Sequence, residues 1–280
     1  MTFRSVRASS GSLSLDAIRK AAPSVFAVEP HSRTSSRYGF VPTVDVVEAL
    51  SAQGMRPVFA SQTTPRDSSR HGHARHLLRF RPDHAPLIVG EAVPEVVLVN
   101  SHDGSSGFSM HLGLFRLVCS NGMVVADASL QAVRVSHRVN AIEHARTKSL
   151  DLISRTDEVV DVIERFRSSP MSETEAVRFA GVAIRERWGD AAPEGLRPER
   201  LVEARRDQDA AANMWAVLNT IQENITKGGV SLQRSGRQSS TRELRSVSED
   251  LRFNAGVWAA ANRFLQDREQ EEDYLCGMAY

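Results

Sequence analysis

The sequence predicts an α+β fold, an antiparallel β-sheet with an early helix followed by a helical C-terminal half. Three observations predict it. Six short β-rich runs follow one another between Arg56 and His137, separated by turn residues. From Asn140 onward, apolar residues recur at helical spacing instead. The 280 residues are 41% apolar and 25% charged, enough core material for such a fold and unlike a chain disordered throughout.

Residues 1–14 are rich in Ser and Arg and read as loosely ordered. Leu15 to Ala22 reads as a short helix, with Ser14 as its cap and Pro23 as its stop. Residues 29–39 read as loop. In "PTVDVVEALSAQG", Thr43 is placed to cap a helix, Val44, Val46, Val47 and Leu50 lie on one side, and Gly54 ends it. The β-rich runs are 56–62, 74–82, 94–101, 107–120, 122–127 and 130–137. Strands this close in sequence are expected to pair as antiparallel hairpins.

Ile142, Ala145, Leu150, Ile153, Val159, Val160, Ile163 and Phe166 then form a helical stripe, with a break expected near Ser154–Asp157. Ser172 and Glu175 have the spacing of a capping box. Residues 189–207, rich in Pro, Glu and Arg, read as a surface linker. "DAAANMWAVLNTIQENITKGG" reads as a helix ending at Gly228-Gly229, followed by a basic Gly/Ser-rich loop, a last helix and a fraying acidic tail. Trp215 and Trp258 fall on apolar stripes and read as core. The expected division is a sheet domain with N-terminal helices (1–140), a helical hairpin packed on the sheet (141–188), the linker (189–207) and C-terminal helices (208–280) carrying the basic loop 226–245.

Charge and motifs narrow the functional classes. The net charge of +1 supplies no global field, so a polyanionic partner must be held by a local patch. The two cysteines, Cys119 and Cys276, make no disulfide framework and no CxxC metal motif. A reducing cytoplasm is the simplest setting. No stretch approaches the roughly 18 apolar residues of a membrane helix, and the first residues lack a signal-peptide core. Phosphate-loop and dinucleotide fingerprints, HExxH and GxSxG are absent, and no cofactor is expected.

The segment "NSHDGSSGFSMHLGLFRLVCSNGMVV" holds the densest set of chemistry-bearing residues. Asn, Asp, Ser and Gly bend backbones, and apolar runs flank them, so Asn100 to Ser106 reads as a turn between strands. The same turn is a candidate ligand contact through Asn100, Ser101, His102 and Ser105. As catalysts, His102 and Asp103 are neighbours on an extended chain and point to opposite faces. Cys119 follows Leu114, Phe115, Leu117 and Val118 and reads as a buried thiol. A His102/Asp103/Cys119 site is the enzymatic alternative.

His71, His73 and His76 have a spacing that suggests a metal, yet no carboxylate or cysteine completes the ligand set. The same stretch is crowded by Arg66, Arg70, Arg75, Arg79 and Arg81. A second basic stretch carries Lys227, Arg234, Arg237, Arg242 and Arg245. Long cationic side chains beside flexible backbone suit phosphate contacts. A solvated loop is the plainer reading of each stretch.

The segments "SSRYGFVPTVDVVEAL", "HLLRFR", "VLVNSHDGSSGFSMHLGLFRLVCSNGMVV", "VRVSH", "NMWAVLNTIQENITKGG" and "LRFNAGVWAAANRFL" resemble, in order, the phage/plasmid-like domain-of-unknown-function family 932. That resemblance spans nearly the whole chain and implies a mobile genetic element setting. It carries no established activity. The order of an early helix, antiparallel strands and a long helix also resembles the Rad52-like single-strand annealing proteins of phages. This second resemblance implies an oligomeric accessory protein that binds nucleic acid, single-stranded DNA above all. The competing classes are the enzyme named above and a non-catalytic protein that blocks a host or phage factor.

Overall fold

The computed structural model describes residues 3–9, 11–36, 38–83, 92–116, 121–124, 133–134, 141–234 and 237–277. The chain divides into two units, one closing at Asp157 and one opening at Glu158. The boundary therefore falls inside the expected helical hairpin 141–188.

The first unit is built on a seven-stranded antiparallel sheet, in the order β1 (Phe3–Arg7), β2 (Met55–Thr63), β3 (His76–Pro82), β4 (Ala92–Asn100), β5 (Ser109–Arg116), β6 (Asn121–Val124), with β7 (Val133–Arg134) also pairing β5. The five runs from β2 to β6 pair as successive hairpins. β1 was not expected. Residues 3–7 pair with Phe59–Thr63 at the sheet edge, where a polar strand is tolerated.

One sheet face gathers Leu78, Phe80, Val96, Leu98, Met110, Leu112 and Leu114 by register. It packs beneath α1 (Leu15–Ala21), α2 (Thr43–Ser51) and α3 (Ala141–Ser154). All nine residues of β4 are buried, so this central strand is covered on both faces. That explains why it reads as an almost unbroken apolar run rather than an alternating one.

Ser14 caps α1 as expected, accepting from Ala17 N at 3.2 Å. Thr43 does not cap α2. Pro42 occupies the cap position, and the Thr43 hydroxyl turns inward to buried polar partners. Burial decides this: an enclosed hydroxyl must find partners inside, whereas helix-end amides can use water.

In the second unit, α4 (Thr156–Ser168) begins two residues after α3 ends, at the expected break. α5 (Glu173–Trp188) opens on the capping box: Ser172 N donates to Glu175 Oε2 at 2.8 Å and Glu175 N to Ser172 Oγ at 3.3 Å. Trp215 on α6 (Met214–Lys227) and Trp258 on α7 (Val247–Gly277) are core residues.

Three sequence readings change here. Residues 189–207 run largely over the surface but are tied down: Leu201 is fully buried and its carbonyl accepts from Asn224 Nδ2 at 2.9 Å. The acidic tail stays helical as far as Gly277. The basic loop is a β-hairpin, β8 (Ser231–Arg234) with β9 (Arg237–Ser240). No helix among the described residues is long and apolar enough to cross a membrane.

Candidate nucleic-acid interface

The turn after β4 is a built polar structure. Asn100 Nδ2 donates to Val41 O at 3.2 Å and to Thr43 Oγ1 at 3.0 Å, while its Oδ1 accepts from Ser101 N at 2.8 Å. Ser101 Oγ clamps the turn, accepting from Ser106 N at 2.9 Å and donating to Ser106 O at 2.8 Å. Tyr38 Oη donates to Ser101 O at 2.5 Å, and burial, aided by the Asp103 charge, pushes the phenol up to about 12. Two further loops are stitched on: His102 N donates to His73 O and His31 N donates to His102 O, each at 2.8 Å.

His102 lies inside a directional hydrogen-bond chain. Ala74 O can only accept, so His76 Nδ1, 3.0 Å away, carries the proton and is shared with Ser24 Oγ at 2.8 Å. Burial pushes His76 down to about 4, so its Nε2 is an unprotonated acceptor for Thr43 Oγ1 at 2.9 Å. With its one proton committed, Thr43 must accept from His102 Nε2 at 3.3 Å. Ser24 Oγ in turn donates to Gln62 Oε1 at 2.6 Å, and Gln62 Nε2 to His71 O at 2.7 Å. Thr43, His76, Asn100 and His102 are all fully buried. This is chemistry that locks five chain segments together.

Asp103 is equally engaged. Arg70 Nε and Nη2 donate to its Oδ2 at 2.9 and 2.6 Å, and Ser105 N donates to its Oδ1 at 2.9 Å. Burial pushes this carboxyl up, but the bonds from Ser105 and Arg70 outweigh it and the net shift is downward. Cys119, the third member of the enzymatic alternative, lies outside the described residues.

The first basic stretch splits. Arg66 is exposed, Arg70 holds Asp103, and Arg75 Nη2 donates to Ser105 O. Arg79 and Arg81 instead point from β3 to the second sheet face. There they converge on Glu95, Arg79 Nη1 at 3.3 Å from Oε2 and Arg81 Nε at 2.7 Å from Oε1. The two groups part because Arg66, Arg70 and Arg75 precede β3, whereas Arg79 and Arg81 lie within it and alternation puts both on its second face. Arg7 of β1 joins the second face by register, and burial with the nearby Arg79 pulls it down to about 10.

The three histidines of the metal alternative do not converge. His76 is in the hydrogen-bond chain, while His73 lies in a 3-10 turn with its ring 5.2 Å from that of His31. Burial and the His31 charge lower His73. His71 lends its carbonyl to Gln62. Among the described residues no group of three or more His, Cys, Asp or Glu is placed to hold a metal ion.

The second basic stretch is a ribbon. Arg234 and Arg237 face each other at the tip of the β8–β9 hairpin, with Gln233 opposite Gln238 below them. Residues 228–242 contain no acid. Ser231, Gln233, Ser240, Arg242 and Arg245 are exposed. Arg245 pairs with Glu243 at 3.0 Å and Lys227 with Glu223 at 2.7 Å, so these two are partly neutralised.

The base of the ribbon is held firmly. Gly229 N donates to Thr241 O and Thr241 N to Val230 O, each at 2.8 Å. Next to the tip, Gln233 N donates to Gly195 O at 2.9 Å. Gly195 has φ +77°, and a Cβ there would lie 2.1 Å from Gln233 O. Arg205 ties the end of α6 to the same base, donating to Asn224 Oδ1 at 2.6 Å and to Gly228 O at 2.5 Å. The segment 189–207 thus serves as the buttress of the ribbon. The Gly/Ser content that suggested a loop in fact supplies turns and close approaches.

Comparison with known proteins agrees with this layout in extent and offers no activity. The chain is 33% identical over 254 residues to UPF0380 protein YafZ of Escherichia coli strain K12, covering 90% of this chain and 92% of that protein. It is 33% identical over 257 residues to UPF0380 protein YfjQ of the same strain, with the same coverage. No solved structure matches. The family model matches residues 30–258, from the loop before α2 to α7, and on that match the chain belongs to the DUF932 family, a domain of unknown function.

Proposed function

We propose that this chain is a cytoplasmic nucleic-acid-binding accessory protein of a mobile element, acting on single-stranded DNA as an annealing factor and working as an oligomer. The observation that carries the reading is the β8–β9 ribbon: a firmly anchored, polar, two-stranded hairpin with Arg234 and Arg237 in register at its tip and no acid along it. A ribbon of this kind places cations at fixed spacing along a phosphate chain and leaves base edges free to pair. The mobile-element setting and the oligomer rest on the family resemblances described above.

The ribbon, with Arg242 at its foot and the exposed Arg66, supports this reading. Arg79 and Arg81 do not, because they neutralise Glu95. The test is an anisotropy titration of full-length protein with single- and double-stranded oligonucleotides at two salt concentrations. Binding that weakens with salt and favours the single strand is expected. Replacing Arg234 and Arg237 together by Ala should lower the salt slope by about 2, one unit for each lost phosphate contact. Salt-insensitive binding, or none at micromolar protein, overturns the reading.

A further inference from the structure

The open edge of the sheet carries a feature that the ribbon does not explain. Among the described residues β1 pairs with β2 alone. Ala8 N donates to Val58 O at 2.9 Å. The two-residue alternation of an antiparallel ladder then turns the backbone N–H and C=O of Ser5 and Arg7 outward. α1 runs beside this edge. Between them lies a groove of about 600 Å³, lined by Ser5 and Val6 of the strand and by Ser14, Asp16, Ala17 and Lys20 of the helix. Leu15, in the first turn of the same helix, is 42% exposed although apolar.

We propose that this groove takes an extended, acidic segment of a partner polypeptide, which adds to the sheet beside β1. Two arguments select that occupant. The outward groups of a strand alternate donor and acceptor, which a polypeptide backbone matches and a phosphate chain, offering acceptors only, does not. The local charge then selects the partner: residues 3–21 carry Arg4, Arg7, Arg19 and Lys20 against Asp16 alone. A second copy of this chain would bring the same cations face to face across the edge, whereas an acidic strand is attracted.

This inference uses other residues than the nucleic-acid reading, and the two stand or fall separately. The experiment titrates full-length protein into a labelled octapeptide alternating glutamate with valine and threonine, beside its lysine counterpart. A salt-sensitive anisotropy rise with the acidic peptide alone is expected. Ser5→Pro deletes one outward N–H and spares the β1–β2 ladder, since proline is tolerated on the open side of an edge strand. It should weaken binding about tenfold, the scale of one lost hydrogen bond. Lys20→Glu, on an exposed helix position that does not threaten the fold, should weaken it comparably. No acidic-peptide binding at about 1 mM would mean that the cations merely guard an edge, and overturns the proposal. Equal binding of both peptides or indifference to Lys20→Glu also overturns it. So does a dimer in sedimentation that Ser5→Pro dissolves, which would assign the edge to a second copy.

Discussion

Arg81 Nε donates to Glu95 Oε1 at 2.7 Å, across two adjacent strands and onto a carboxylate with no exposure at all. Arg79 completes the pairing from the same strand, itself 5% exposed. A buried carboxylate is tolerable only while its cations stay. Arg81→Ala should therefore destabilise the first unit by about 3–5 kcal/mol in urea unfolding. Its effect on the salt slope of DNA binding should be nil in any fraction that remains folded. The Arg234/Arg237 pair should show the reverse pattern, with stability within about 0.5 kcal/mol of the parent and a changed slope.

The Thr43 hydroxyl is the junction of the buried chain, giving its proton to His76 and accepting from Asn100 and His102. Thr43→Val keeps the shape and removes the junction, leaving polar partners unsatisfied. A loss of about 2–3 kcal/mol is expected. Thr43→Ser, which keeps the hydroxyl, should recover most of it. Thermal melts of the three proteins decide the matter. Equal melting temperatures for Val and Thr would show that the hydroxyl is not the junction.

His76 gives the protein a directed acid response. Burial holds it near 4 in the folded state, below the ordinary histidine value of 6.5. The unfolded chain therefore binds the extra proton first. Stability from this group is complete above pH 6.5 and is lost as pH falls toward 4, by about 3 kcal/mol in all. His73, lowered by burial and by His31, acts in the same direction. Urea midpoints between pH 7.5 and 4.5 should slope downward on acidification, and His76→Gln should flatten that slope.

Gly195 and Gly228 test whether the ribbon must be rigid. Both have positive φ, and a Cβ on Gly228 would lie 2.5 Å from the Arg242 carbonyl carbon. Gly195→Ala, beside the tip, or Gly228→Ala, at the base, should cost about 2 kcal/mol or more and loosen the hairpin. Limited proteolysis should then cut within 231–240, and DNA affinity should fall although no arginine has been touched. Unchanged cleavage would show that the base adapts.

The site was legible in its parts and not in its connections. The polar turn at 100–106, the caps at Ser14 and Ser172 and the core placement of Trp215 and Trp258 follow from neighbours within a few positions. Arg70 and Asp103 are 33 residues apart, and Ser24 and His76 are 52 apart. No spacing rule links them, because they meet only once β3, β4 and the loops are in register. Nor does the basic composition of residues 66–81 tell which arginines face water. That depends on alternation along β3 and on the single acid at position 95.

The sequence by itself determined the α+β order, the strands β2 to β6, the caps of α1 and α5 and the family, because periodicity, turn chemistry and capping are local properties of neighbouring residues. Only the tertiary structure decided that Arg79 and Arg81 serve Glu95, that Thr43 faces inward, that residues 3–7 form an edge strand and that the Gly/Ser-rich stretch is a buttressed ribbon. The physical reason is common to all four. A polar or charged group chooses its partner by burial and distance, and both are set by strand register between segments far apart along the chain.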